Sequence, residues 1–308
     1  MKAQSSLSAP YEVAFTIGSR RLLTVKRDVA TLAFSLHDIF DGRVPAVPQL
    51  TSVEGLRILS APVSAETRLL EVMPGFLVGA RETYERSYID MAGTYDAYMA
   101  RFSGKTRSTL RRKRRKFEEA EGGTLDLRLY RTPDEIERFL QLALPLSRLT
   151  YQARLLDAGL PDDEQARAAM YRLAEADRLR AFLLFLHGEP VAYLYLPIER
   201  DTLVYAHLGY DPRHADFSPG TVLQLAALEQ LFAERRFRYF DFTEGDGAHK
   251  AQFRTDSVRC ASFLMLRPSV ANGALLASLA AFDRVVAWTK SLAERTGADA
   301  LVRRALRA

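Results

Sequence analysis

An α/β fold of the α+β kind, with mixed central sheets flanked by helices and a helical C-terminal tail, follows from three features of the 308-residue sequence. Two apolar runs, residues 181–186 and 191–196, flank His187-Gly188-Glu189-Pro190. Runs of that length broken by turn residues read as a buried β-hairpin. Around them, strand-like stretches alternate with segments that open on helix-start chemistry, namely Thr132-Pro133-Asp134-Glu135, Pro161-Asp162-Asp163-Glu164 and Ser218-Pro219-Gly220-Thr221. From Ser269 onward, Leu275, Leu276, Leu279, Phe282, Val286 and Leu292 recur at helical spacing beside Arg284, Lys290, Arg295, Arg303, Arg304 and Arg307.

Taken in order, residues 11–90 read as mixed strands and short helices, with Leu22, Thr24 and Lys26 in one strand. In residues 76–90, Tyr84, Arg86, Tyr88 and Asp90 alternate with Glu85, Ser87 and Ile89, a period of two and therefore a strand. Pro45, Pro48 and Pro62 mark loops. Residues 94–103 are helical, with Tyr95, Tyr98, Met99 and Phe102 on one side; Gly104 interrupts, and a second helix runs to the stop at Gly122-Gly123. Residues 124–130 alternate as a strand. Thr132 and Glu135 then form a capping box, the hydroxyl taking a free helix N–H and the carboxylate reaching back, and the helix continues through Phe139 and Leu142. After the hairpin come a third strand at 203–208 and an amphipathic helix carrying Leu223, Leu225, Leu228 and Leu231. A strand at 238–242, the Glu244-Gly245-Asp246-Gly247 loop and a last strand at 260–266 follow, and Pro268 ends the compact part.

The bulk numbers narrow the function classes. Hydrophobic residues make 48% and charged residues 26% of the chain, ordinary globular values that need no disulfide support. Cys260 is the single cysteine, so no intramolecular disulfide can form, which fits a reducing compartment. The polar N-terminus lacks the apolar core of a signal peptide, and neither run around the hairpin approaches the ~20 residues of a membrane span. The expectation is a cytoplasmic protein, with the apolar and basic tail either packed on the fold or lying on the inner face of an anionic membrane. A net charge of +5, from 43 Lys+Arg against 38 Asp+Glu, suits an anionic small-molecule partner and gives little support to a nucleic-acid-binding module. The five histidines and one cysteine show no metal-ligand spacing, so no metal is expected.

Three constellations can carry chemistry. Ser218, Gly220 and Thr221 stand at a helix start, where free N–H groups and the helix dipole attract phosphate, with Pro219 suited to the first turn and Gly220 allowing close approach. The segment from Lys105 to Lys116 is dense in Lys and Arg; Leu110 and Phe117 can pack while the remaining faces stay basic, and Lys105 and Arg107 at the helix start are the leading anion contacts. Asp241 ends a strand, Glu244 and Asp246 lie in the following glycine loop, and Lys250 comes just after. A carboxylate there could serve as a general base and the lysine could stabilise an oxyanion or bind phosphate. His207, next to the third strand's Gly209, and Tyr151, after a predicted helix, complete the candidates.

The order of strands and helices over residues 178–267 resembles the core of the GNAT acyltransferases. Ser103-Gly104-Lys105-Thr106-Arg107-Ser108-Thr109-Leu110-Arg111-Arg112, Ser218-Pro219-Gly220, and Tyr239-Phe240-Asp241-Phe242-Thr243-Glu244-Gly245-Asp246 with Lys250 and Phe253 make it similar to the acetyltransferases of cellulose and envelope biosynthesis. That group is related to the Fem-type aminoacyl transferases, which carry two GNAT-like halves. The resemblance covers about residues 85–267 and says little about substrate. It implies an N-acyltransferase that uses acyl-CoA as co-substrate, with pyrophosphate at Ser218, Gly220 and Thr221, although the common GNAT loop carries more glycines. It implies a primary-amine acceptor: an amino sugar, an amino acid or a long-chain lipid amine such as a sphingoid base. Lys250 matches a lysine proposed to act in Fem-like enzymes, Asp241, Glu244 and His207 become the catalytic candidates, and Tyr151 and Asp246 would line the acceptor site. A Fem-type donor, aminoacyl-tRNA, is the alternative. The expected division is a degenerate GNAT-like half at 1–130, the acyltransferase core at 131–268 and an amphipathic tail at 269–308.

Overall fold

The computed structural model describes residues 9–17, 20–150, 159–245 and 247–295. In chain order, β1 (Ala9–Ile17), β2 (Arg20–Ala33), α1 (Leu36–Phe40), β3 (Gly55–Pro62), α2 (Val63–Val72) and β4 (Leu77–Asp90) come first. They are followed by α3 (Tyr95–Ala100), α4 (Gly104–Glu121), β5 (Asp126–Tyr130), α5 (Pro133–Leu149) and α6 (Glu164–Glu175). Then come β6 (Leu179–Leu186), β7 (Glu189–Glu199), β8 (Thr202–Val204), β9 (His207–Tyr210), a 3-10 turn (Pro212–Phe217) and α7 (Pro219–Ala233). The chain continues with β10 (Tyr239–Asp241), α8 (Ala248–Phe253), β11 (Asp256–Leu266) and α9 (Val270–Arg295).

The chain forms two compact units, one of Ser87–Ser257 and one of Met1–Arg86 with Val258–Ala308. The divisions expected at 130/131 and 268/269 therefore shift, for reasons of packing. Leu110 and Phe117 of α4 are buried with α7 residues such as Leu223 and Leu228, which places α4 in the second unit. Residues 260–266 of β11 pair antiparallel with β3, which returns this strand to the first unit.

In the first unit, β1 and β2 form an antiparallel pair, β2 runs parallel to β3, and β3 pairs with β11. The helical tail is part of this unit: Leu275, Leu276 and Leu279 of α9 pack with Val13, Phe15, Leu264 and Leu266. Its first turn is tied down by the buried Asn272, whose Oδ1 accepts from Arg27 Nε at 2.9 Å and whose Nδ2 donates to the Arg267 carbonyl at 3.0 Å. Val270–Thr289 is nonetheless long and apolar enough to cross a membrane, with a mean hydropathy of 1.4 and only 22% of it buried. The longest apolar stretch is thus in α9 and not in the strands of the hairpin.

In the second unit the strand order is β4-β10-β8-β7-β6-β5, with β9 also paired to β7. The sheet is mixed, since β10 is antiparallel to β4 and parallel to β8. Every residue of β6 is buried. Successive side chains of a strand point to opposite faces, so Phe182, Leu184 and Leu186 meet the α7 core while Leu179, Ala181, Leu183 and Phe185 meet the α5 core. Both faces of the hairpin are covered, which is why its strands read as continuous apolar runs. The helix expected to be amphipathic, α7, is instead buried on most sides, from Val222 through Phe232. Arg180 is a charged side chain within this interior: at 1% exposure its guanidinium holds Glu234 through Nε and Nη2 and Asp177 through Nη1.

Candidate active site

The strand expected at 203–208 is two strands, and the break between them makes the site. β8 pairs with Ile198 and Glu199 of β7 on one side and lies parallel to β10 on the other. β9 pairs only with residues 192–195 of β7. At the break, Tyr205 N–H still donates to the Asp241 carbonyl at 2.8 Å, and Ala206 N–H donates to the Tyr195 carbonyl. The ladder to β10 stops there, so among the described residues the second edge of β9 has no strand partner. A cavity of about 620 Å³ lies here, walled by Tyr205 at the break and by Leu208, Gly209 and Tyr210 of β9. Ser218, Gly220 and Thr221 at the start of α7, Lys113 of α4, Thr150 after α5 and His249 of α8 complete its polar lining. Among the described residues, no carboxylate lines it.

Two glycines keep the walls thin. A Cβ on Gly209 would stand 2.4 Å from Tyr193 Cε1 and 2.6 Å from Thr150 Cγ2, so no side chain fits without moving a buried ring. That ring is held in turn, because Tyr193 donates its hydroxyl to Ser147 Oγ at 3.0 Å. At Gly220, a Cβ would press on Leu208 and Tyr210 at 3.2 and 3.3 Å. Between these positions the chain enters α7 through Ser218, which adopts the left-handed conformation at φ 53° and makes no side-chain cap bond. Its carbonyl takes the Thr221 and Val222 N–H groups. An uncapped helix start presents partial positive charge, and Lys113 adds a full charge to the same cavity.

His249 is the one imidazole in the cavity wall. Its Nε2 is hydrogen-bonded to Gln224 Oε1 from α7, and its ring packs 4.9 Å from Phe253 and 6.4 Å from Tyr205, centroid to centroid. Burial, reinforced by the charges of Lys113 and Lys250, lowers its pKa to about 4, so the ring is neutral at pH 7. Burial also raises the Tyr205 phenol above its ordinary range, which keeps that hydroxyl protonated.

Of the residues singled out in the sequence, Ser218, Gly220 and Thr221 come together on the cavity. Lys105 and Arg107 do not line it; Lys105 is exposed, and Arg107 donates to the Ala100 carbonyl and borders a separate depression with Arg111, Arg112 and Arg115. The cation that the basic helix brings to the cavity is Lys113. Asp241 is buried at 1% exposure and shapes the loop after β10, its Oδ1 accepting the N–H of Thr243, a residue at φ 60°. Glu244 is exposed, and its carbonyl accepts from the Lys250 ammonium, which ties the loop to α8. His207 is half-buried, its ring 6.0 Å from that of Tyr195, and it is absent from the cavity wall. Tyr151 and Asp246 lie outside the described residues. His249 was missed in the sequence although a signal exists: it stands one helical turn before the buried Phe253 and so shares its inward face.

Residues 104–251 match the family described as acetyltransferase (GNAT) domain. Among solved structures, FemX is 12% identical, with 84% of this chain and 88% of that chain covered at a TM-score of 0.51. L-PGS from Bacillus licheniformis is 16% identical over 72% of this chain and 71% of that one, with a TM-score of 0.45. A GCN5-related N-acetyltransferase from Kribbella flavida is 13% identical over 71% of each chain, with a TM-score of 0.38. No curated protein sequence matches significantly. Every residue of the cavity wall falls between 104 and 251. The segment that builds the cavity matches the GNAT acetyltransferase domain, and the chain is similar in fold to FemX.

Proposed function

We propose that the chain moves an acyl group from acyl-CoA to a primary amine, with the thioester and its phosphates in the cavity at the start of α7. The observation that carries this reading is a cavity onto which an uncapped helix N-terminus and Lys113 both open, with no carboxylate in its wall among the described residues. Polyphosphate is the ligand chemistry such a site favours. Ser218, Gly220 and Thr221 are the cofactor-binding residues in this reading. The edge of β9 that carries no second strand among the described residues offers backbone groups to the amide-bearing arm of the cofactor and to the oxyanion that forms on the thioester carbon. Asp241, Glu244 and Lys250 act on this site through the loop they hold. The acceptor class, an amino sugar, an amino acid or a long-chain lipid amine, follows from the family resemblance.

Calorimetric titration with acetyl-CoA, palmitoyl-CoA and free CoA tests the reading. Binding of all three, with one acyl chain length preferred, is the expected result. If none binds, acyl-CoA is the wrong donor, and aminoacyl-tRNA, the Fem-type alternative, is titrated next.

A peripheral contact with an anionic membrane is a second part of the proposal and rests on α9. Val285 and Trp288, 60% and 64% exposed, stand on its outer side, and the sequence beyond continues through Arg295, Arg303, Arg304 and Arg307. Exposed apolar side chains followed by clustered positive charge suit an acidic lipid surface. Deleting the helix would strip the cluster around Leu275 and Leu279, so the test is the pair Val285→Glu and Trp288→Glu. Co-sedimentation with phosphatidylglycerol vesicles should fall in the double variant; equal sedimentation would overturn this contact.

A further inference from the structure

We propose that His249, held by Gln224, is the proton acceptor for the attacking amine. The inference rests on the acyltransfer reading above and adds to it a residue outside the candidates singled out in the sequence.

Gln224 is an amide in an apolar core. It is fully buried, flanked in α7 by Leu223 and Leu225, and its hydrogen bond is the one to His249. Its Nε2 is the one buried side-chain nitrogen or oxygen among the described residues that lacks a hydrogen-bond partner. A buried donor left unpaired is destabilising, and a leucine there would avoid the cost. The gain from keeping an amide is the orientation of a ring on the cavity wall. With the amide oxygen facing the imidazole, Nε2 of His249 carries the proton and Nδ1 holds the lone pair. This is the arrangement of a base steered by a neutral partner, and it needs no carboxylate in a cavity built for an anion. Among the described residues, the charged and titratable groups near the ring are Lys113 from α4, Lys250 beside it on α8 and Tyr205.

In the transfer, the neutral amine attacks the thioester carbonyl carbon. As the N–C bond forms, His249 Nδ1 takes one proton from that nitrogen. The C–S bond then breaks with its electron pair on sulfur, and the imidazolium returns the proton to the thiolate. Amide and free thiol are the products, and the ring is regenerated.

The experiment combines His249→Gln, Gln224→Leu and the wild type, with acetyl-CoA and palmitoyl-CoA as donors and glucosamine, lysine and sphinganine as acceptors. Thiol release gives kcat and calorimetry gives donor affinity. His249→Gln should keep donor affinity within about threefold and lose ~10²-fold in kcat, the usual contribution of a positioned base. Gln224→Leu should lower kcat while leaving donor affinity unchanged, a split that a purely structural role would not produce. Nitrogen NMR of the histidine-labelled wild type should show His249 protonated at Nε2, a readout that needs no acceptor. Wild-type kcat in His249→Gln, or a proton on Nδ1, would overturn the assignment while leaving the donor site intact. Failure of the wild type to bind either acyl-CoA would instead overturn the acyltransfer reading, and this one with it.

Discussion

Replacing His249 with Gln should flatten the stability of the second unit between pH 7.5 and pH 5. In the folded protein the ring's pKa lies at about 4, against an ordinary 6.5, chiefly because it is buried and secondarily because Lys113 and Lys250 face it. Above pH 6.5 both folded and unfolded states hold a neutral ring, and pH has no effect through this group. Between 6.5 and 4 the unfolded chain takes up a proton that the folded one refuses, so stability falls as the solution is acidified. Across the whole window the loss amounts to about 3 kcal/mol, of which about 2 kcal/mol has gone by pH 5. Glutamine does not titrate, so the stability difference between wild type and variant should shrink by that ~2 kcal/mol from pH 7.5 to pH 5. The readout is denaturant-dependent hydrogen exchange of the β6 and β7 amides, which share the compact unit of His249. Trp288, the single tryptophan, belongs to the other unit, and its fluorescence reports there. Raising the salt separates the causes: screening weakens the contribution of the two lysines and leaves burial untouched, so most of the pH effect should survive 0.5 M salt. Parallel pH curves for the two proteins would refute the account, because they would mean that the ring titrates alike when folded and unfolded.

Three further outcomes follow from the same geometry. Gly209→Ala should cost about 2 kcal/mol in urea unfolding and weaken acyl-CoA binding in calorimetry, since its methyl must displace the buried Tyr193 ring or Thr150. Lys113→Ala should weaken free CoA binding about tenfold, or ~1.4 kcal/mol, with a shallower salt dependence, whereas Lys105→Ala should leave affinity unchanged because that side chain does not line the cavity. Arg180→Met should lower the unfolding free energy by about 3 kcal/mol, read by circular dichroism, because it removes the partner of Glu234 from a buried position.

The sequence made the fold legible where the signal is local. The turn at His187–Pro190 joins the hairpin strands, and Thr132 and Glu135 close the capping box read from their spacing. The start of α7 is also local chemistry, and it brought Ser218, Gly220 and Thr221 to the cavity. The two strands inside residues 202–210 were not legible, because a change of pairing partner from β10 to β7 alone leaves no mark in the alternation of side chains. The direction in which Asp241 points was not legible for a related reason. In a strand that alternates with Phe240 and Phe242, a carboxylate looks poised for chemistry, but it faces inward and bonds to the turn that follows.

Two cavity residues not singled out in the sequence, Lys113 and His249, share one signature. Lys113 stands three positions after Leu110 and four before Phe117, and His249 stands four before Phe253; all three apolar partners are fully or almost fully buried. On a helix those spacings put a polar side chain on the inward face, where it must either find a partner or border a cavity. Lys105, by contrast, is five positions from Leu110, off that face and in solvent. Density of charge therefore pointed to the start of α4, and helical phase, anchored on a buried apolar residue, pointed to Lys113. The same test applied to Gly247–Phe253 separates the ring at 249 from the ammonium at 250: one residue of rotation sends the first to the cavity wall and the second to the Glu244 carbonyl.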